Sequence, residues 1–190
     1  MSENVFVAVD IGNLWSACQD LYGETYRISY PAVLEKLREK ELDRELDLYA
    51  YVASIPQHKV DPDTGQVVFG PPKNKRFLEY LESIGFVIKE RRVQYGKNRR
   101  PLGNDCSSWV AIDAIDKIKE YDVFTLVVGS KDYQVLINEL QDRGKRVEVV
   151  TFRTEFSRLM GQQADEIIYL GDNEVFQEKP IRRSRRGEPT

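Results

Sequence analysis

Two short polar motifs carry residue types suited to metal-assisted chemistry. Asp10-Ile11-Gly12-Asn13 follows the β-branched run Val5 to Val9, and Gly129-Ser130-Lys131-Asp132 follows the apolar run Val123 to Val128. Each sets a carboxylate just beyond what reads as a buried strand, and in an open parallel sheet ligands gather past the carboxyl ends of the strands. If the two strands are neighbours, Asp10 and Asp132 meet across one crevice. Converging carboxylates repel, and the usual relief is a divalent cation with oxygen ligands, Mg²⁺ or Mn²⁺. Such an ion positions a water and neutralises the charge that builds on a phosphodiester under attack. In that setting Asn13 orients Asp10 or the water, Ser130 donates to a phosphate oxygen, and backbone N–H groups at the two helix starts bind phosphate. A plainer reading stands beside this one: Asp or Ser after a strand is also the ordinary cap of the next helix, and each motif alone is more often a cap than a catalytic group.

The elements that must position these residues are legible in the periodicity. After the strand Val5–Val9, helical spacing runs from Gly12-Asn13 to Leu21, and Pro31 opens a second helix at a position where its missing N–H costs least. A strand follows at Leu46–Ala53. Between Pro56 and Pro72 the turn signal Asp61-Pro62-Asp63-Thr64-Gly65 separates two β-prone pieces, which predicts a protruding hairpin or loop. Asn74–Ser83 reads as helix with Gly85 at its end, then a strand at Phe86–Arg91. From Asp105 to Glu120, Ala111, Ile112, Ile115 and Ile118 fall at helical spacing. The strand Val123–Val128, a helix near Tyr133–Arg143, a strand Arg146–Thr151, a short helix near Phe156–Gly161 and a strand Glu166–Leu170 complete the order. Strands separated by helices need crossover connections, hence an α/β fold with a mainly parallel central sheet flanked by helices. The expected organisation is one domain over residues 1–172 and a basic tail over 173–190, disordered or weakly docked.

Composition narrows the function classes. The chain has 190 residues, 41% hydrophobic and 31% charged, as ordinary globular domains do. No apolar run approaches the ~18 residues a membrane span needs. The opening MSENVFVAVD lacks the charged-then-apolar layout of a signal peptide, so a cytoplasmic protein with no membrane partner is expected. Cys18 and Cys106 form no CxxC pair, which removes a zinc or disulfide framework, and His58, the one histidine, falls in a polar stretch. There is no GxGxxG or GxxxxGK[ST] phosphate loop, which counts against a nucleotide-binding enzyme or phosphatase.

Charge is unevenly placed. The formal net charge is −3, but Lys179 to Thr190 carries five basic residues and one acid, so the body is acidic and the tail basic. The stretch from Lys89 to Arg100 holds six cations and one acid directly before the helix that begins near Asp105. Arg91, Arg92, Lys97, Arg99 and Arg100 can follow a phosphate backbone, with Tyr95 available to stack on a base and Lys131 beside Asp132. The alternative is a solvated charged loop. Arg182, Arg183, Arg185 and Arg186 offer a flexible second contact or serve only solubility.

Four segments in order resemble a known family. VFVAVDIGNLW resembles the opening D-x-x-N strand and turn of NYN domains, in the PIN-like nuclease superfamily that includes the bacterial LabA-like branch. NDCSSWVAIDAI resembles the family's K-G-V-D-V-x-x-A-x-D-A-L helix start, LVVGSKDYQVLINEL its S-G-D-x-D-F segment, and GKRVEVVTFRTEFSRLMGQQADEIIYL its ending. The resemblance spans Val5 to Leu170 and implies a Rossmann-like, PIN-like three-layer fold with metal-dependent ribonuclease ancestry. It places Asp10 and Asp132 on two of the acidic positions and Asn13 on the family's asparagine. It also places Ser107 and Ser130 where two aspartates are expected, and Asn104-Asp105 on the K-G pair.

What the resemblance implies is therefore a metal-dependent endoribonuclease acting on RNA, with Asp10 and Asp132 as ligands to Mg²⁺ or Mn²⁺ and a partly degenerate acidic set. Two carboxylates suffice for a hydrated Mg²⁺, which keeps several waters. Asp105 compensates if its helix begins early, whereas Asp113, about two turns further on, reads as a solvent-facing residue or a packing partner. The competing expectation is a lapsed nuclease fold that binds RNA or a protein partner without cutting. Both leave room for a homo-oligomer.

Overall fold

Strand β1 (Glu3–Asp10) occupies the middle of a six-stranded sheet and fixes where the rest of the chain must go. It leads into α1 (Ile11–Tyr22), the short β2 (Tyr26–Ile28), α2 (Tyr30–Glu39) and β3 (Arg44–Ser54). Next come β4 (Pro56–Val60), β5 (Val67–Pro72), α3 (Lys75–Ser83), β6 (Val87–Arg92), β7 (Gln94–Tyr95) and β8 (Pro101–Leu102). The chain continues through α4 (Ser107–Asp116), β9 (Val123–Val127), α5 (Gln134–Asp142), β10 (Arg146–Phe152), β11 (Glu166–Leu170) and β12 (Val175–Gln177). This computed structural model describes residues 2–39, 44–54, 56–60, 67–72, 74–92, 94–95, 101–102, 106–129, 132–154 and 162–178. For 56–60, 67–72, 92, 94–95 and 101–102 it describes the backbone alone.

The sheet order is β11-β10-β9-β1-β3-β6, and each of its pairings is parallel. From β1 the chain winds outward through β3 and β6, then crosses back to build β9, β10 and β11 on the other side. The winding reverses between β1 and β9, and that reversal opens a crevice beyond their carboxyl ends.

Period-two alternation sorts the strand side chains into two cores. Val5, Val7 and Val9 of β1 pack with Leu14 and Cys18 of α1, Val33 and Leu37 of α2, and Leu78 and Leu81 of α3. Phe6 and Ala8 pack on the opposite face with Val110 and Ala114 of α4 and Leu136, Ile137 and Leu140 of α5. Parity puts Asp10 on the α4–α5 face. Both cysteines are buried and neither forms a disulfide, as expected.

Helix punctuation follows the sequence closely. Gly85 and Gly144 take φ of 103° and 78° just past α3 and α5, in the left-handed region that disfavours a side chain. The hairpin foreseen between Pro56 and Pro72 forms as β4 and β5, paired antiparallel. Two expectations differ from the structure. Ile112 is 57% exposed, because Val110 and Ala114 supply the inward face of α4 instead. Beyond Asp172 the chain is not a loose tail up to Gln177: it makes a 3₁₀ turn at Asp172–Glu174, and β12 pairs antiparallel with β2. Glu174 anchors the turn, accepting from the Gly171 N–H at 2.6 Å and pairing with Lys36 at 3.1 Å. The short helix expected near Phe156–Gly161 and the tail from Lys179 lie outside the described residues.

One charged cluster lies inside the first core, well before the strand ends that carry Asp10. Glu148 of β10, with no exposed surface, accepts a two-pronged contact from Arg44 of β3, at 3.1 Å from Nη1 and 2.8 Å from Nη2. Thr125 Oγ1 donates to it at 3.1 Å and Arg146 Nη2 at 2.6 Å. Glu3 adds an ion pair to Arg44 at 3.0 Å without hydrogen-bond alignment.

Candidate functional site

At the end of β1 the Asp10 carboxylate is buried, with 3% exposure, and both of its oxygens are engaged. Its Oδ1 accepts the Asn13 N–H at 3.1 Å and so caps α1. Its Oδ2 accepts the Tyr133 hydroxyl at 2.6 Å. Asn13 in turn accepts the Gly129 N–H on Oδ1 at 2.8 Å, which ties the start of α1 to the end of β9 across the crevice. The two polar motifs thus meet through Tyr133 and Asn13 rather than carboxylate to carboxylate.

Asp132 has a different environment. It is exposed, one residue before the buried Tyr133, and it lines a shallow cleft of about 270 Å³ between the N-terminal ends of α4 and α5 together with Ser107. Ser130, Lys131 and Asp105 lie outside the described residues. Among the described residues no three His, Cys, Asp or Glu side chains stand together in a way that could hold a metal ion. Asp10, buried at the rim where the winding reverses, is the carboxylate that could hold an ion here. The arrangement does not make a closed protein cage. It fits a water-rich Mg²⁺ or Mn²⁺ bound through one or two carboxylates.

The basic segment starts over α4. Arg91 of β6 stands over the Trp109 ring at 6.0 Å, and Lys89 pairs with Asp113 at 2.9 Å. Asp113 also accepts the Tyr51 hydroxyl at 2.9 Å, which makes it a packing partner. Burial, reinforced by Asp113, pushes the Tyr51 phenol far above its usual range, so it stays a donor. Arg92 and Tyr95 are described in backbone only, and Lys97, Arg99 and Arg100 fall outside the described residues.

Sequence reasoning missed Tyr133 and Gly129. An aromatic immediately after the motif carboxylate and just ahead of a helix was the available signal for Tyr133. Gly129 is required by space: a Cβ there would stand 2.4 Å from the Ala17 Cβ and 2.8 Å from the Asn13 carbonyl oxygen. Gly129→Ala is expected to cost roughly 1–3 kcal/mol, because backbone of α1 must move to admit it. A thermal melt reads this directly, and a variant as stable as the parent would contradict the close approach.

The family model of the NYN domain matches residues 4–171, a span that contains both motifs and all six strands of the sheet. The chain belongs to the NYN family. Its fold is shared with a protein of unknown function from Vibrio parahaemolyticus, whose crystal structure superposes with a TM-score of 0.72 at 20% identity, covering 92% of this chain and 97% of that one. No curated protein gives a significant match. As an NYN domain of the PIN-like nuclease superfamily, the chain carries a fold tied to nuclease-like, RNA-related function. No described helix is long and apolar enough to cross a membrane.

Proposed function

We propose that this NYN domain cleaves single-stranded RNA with the help of Mg²⁺ or Mn²⁺ held at the β1–β9 crevice. The single observation carrying this reading is Asp10: a carboxylate buried at the winding reversal and aimed by two separate donors. Asp10 would hold the ion, with Asp132 reaching it through water. When bound, the ion supplies an activated water and neutralises charge on the phosphoryl group.

The chain's own residues do the rest. Tyr133 and the Asn13 N–H fix the Asp10 rotamer before substrate arrives, so no reorganisation is needed during reaction. Asn13 keeps the loop after β9 against α1 through Gly129. Arg91, at the carboxyl end of β6 and held over Trp109 of α4, is a cation on the same sheet rim for an RNA phosphate. Restoring Mn²⁺ to EDTA-treated protein should restore cutting of an unstructured RNA. Activity untouched by EDTA would remove this reading.

A specific observation favours a second reading, an RNA-binding domain that no longer cuts. Ser107, at the position of a family aspartate, lines the Asp132 cleft and withholds a charge there. Ser107→Asp should then raise Mn²⁺-dependent cleavage by about tenfold or more, since an added ligand charge tightens a hard cation site. Unchanged activity in a parent that already cuts rapidly would exclude the lapsed state.

A further inference from the structure

A second cavity, of about 500 Å³, opens at the same sheet rim on the α1–α3 face of β1, away from the Asp132 cleft. Its size lies within the ~300–1,000 Å³ of small-molecule sites. Ile11 and Gly12, which follow Asp10 directly, form part of its wall, so it adjoins the candidate site. Three large aromatic side chains that the fold leaves in solvent also surround it: Trp15 is 47% exposed, Tyr80 40% and Phe176 50%. Folding by itself gives no reason to gather exposed rings around one hollow.

The wall also holds an unsatisfied polar group. Asn74 occupies the N-cap position of α3, but its side chain makes no capping bond. The helix start is served by its backbone carbonyl, which accepts from Phe77 and Leu78 at 2.9 and 3.0 Å. Its Oδ1 is buried with no hydrogen-bond partner. A buried acceptor left unpaired is unfavourable, and a ligand bringing an N–H to it would recover that loss.

We propose that this cavity is a base-binding subsite, taking one unpaired nucleobase of single-stranded RNA, adenine ahead of the others, among Trp15 and Tyr80 with Asn74 reading its edge. This rests on the RNA reading of the neighbouring site. Aromatic faces stack any base, and an Asn amide matches adenine by accepting from the N6 amine and donating to N7. The source of the base is an RNA strand rather than a free nucleotide. Arg27, the cation among the described residues of the wall, is committed to Glu178 at 2.7 Å and to two backbone carbonyls, which leaves a free nucleotide's phosphate without its charge.

The test is fluorescence anisotropy in EDTA with labelled oligoadenylate and oligouridylate octamers on the full chain. Oligoadenylate is expected to bind about tenfold more tightly, and Asn74→Ala to erase that difference. Trp15→Ala is expected to weaken both by about tenfold. Because Asn74→Ala removes an unpartnered acceptor, its melting temperature should hold or rise, so lost preference cannot be ascribed to unfolding. Equal binding of the two oligomers, or a preference that survives Asn74→Ala, would overturn the subsite. Adenosine monophosphate displacing the oligomer as well as unlabelled oligoadenylate does would overturn its assignment to RNA. Because binding is read without metal, a protein that meets these expectations yet cuts no RNA once Mn²⁺ or Mg²⁺ is restored sinks the cleavage reading alone.

Discussion

Asp10→Asn lowers Mn²⁺-dependent RNA cleavage on the order of a hundredfold to a thousandfold, the loss expected when one preorganised charge is taken from a transition state. The folded structure should persist. An asparagine Oδ1 can still accept from the Asn13 N–H, and its amide remains in hydrogen-bond reach of the Tyr133 hydroxyl. Asp10→Ala separates the two roles of this residue. It uncaps α1 and takes away an acceptor of the buried Tyr133 hydroxyl, each loss worth about 1–2 kcal/mol. Single-turnover cleavage and a thermal melt on both variants distinguish charge from scaffold. Full activity in the asparagine variant would place the chemistry elsewhere.

Glu148→Ala should destabilise the fold more than Gly129→Ala or either Asp10 variant, by about 3–5 kcal/mol, because it removes the buried, two-pronged acceptor of the Arg44 guanidinium in the first core. The Arg44 side chain is only 2% exposed, whereas Glu3, which also pairs with it, is 28% exposed. At about 2–4 °C per kcal/mol for a chain of this size, the melting temperature should fall by roughly 6–20 °C. Replacing both partners, Arg44→Met with Glu148→Leu, should recover most of the loss, since removing both charges removes the need to compensate either. A single variant that melts within about 2 °C of the parent would show that water reaches this cluster.

Much of the fold was readable because it rests on local pattern. Apolar runs followed by Asp10 and by Gly129, helical spacing after each, and glycines at 85 and 144 state the β/α order almost without tertiary information. The parallel direction of β1 and β9 follows from crossover logic, whereas their adjacency entered the sequence reading only as a condition. The site was less legible, for a physical reason. Whether a carboxylate after a strand caps a helix or binds an ion depends on what arrives from elsewhere, and Asp10 does cap its helix. The donor that orients its second oxygen lies 123 positions away, in a residue whose type alone suggests core packing. Asp132 and Asp10 each belong to a polar motif after an apolar run, yet one is exposed and the other buried, because Tyr133 and not Asp132 turns inward at the start of α5. The base cavity was illegible altogether: its rings come from α1, α3 and β12, and β12 belongs to a stretch that composition marks as tail.

A crystal soaked in Mn²⁺ and measured at the manganese absorption edge tests the central claim most directly. An anomalous peak within coordination distance of the Asp10 carboxylate, at the crevice between β1 and β9 and absent from Asp10→Asn crystals, is the predicted result. A saturated crystal with no peak there, or with the same peak in the asparagine variant, would contradict it.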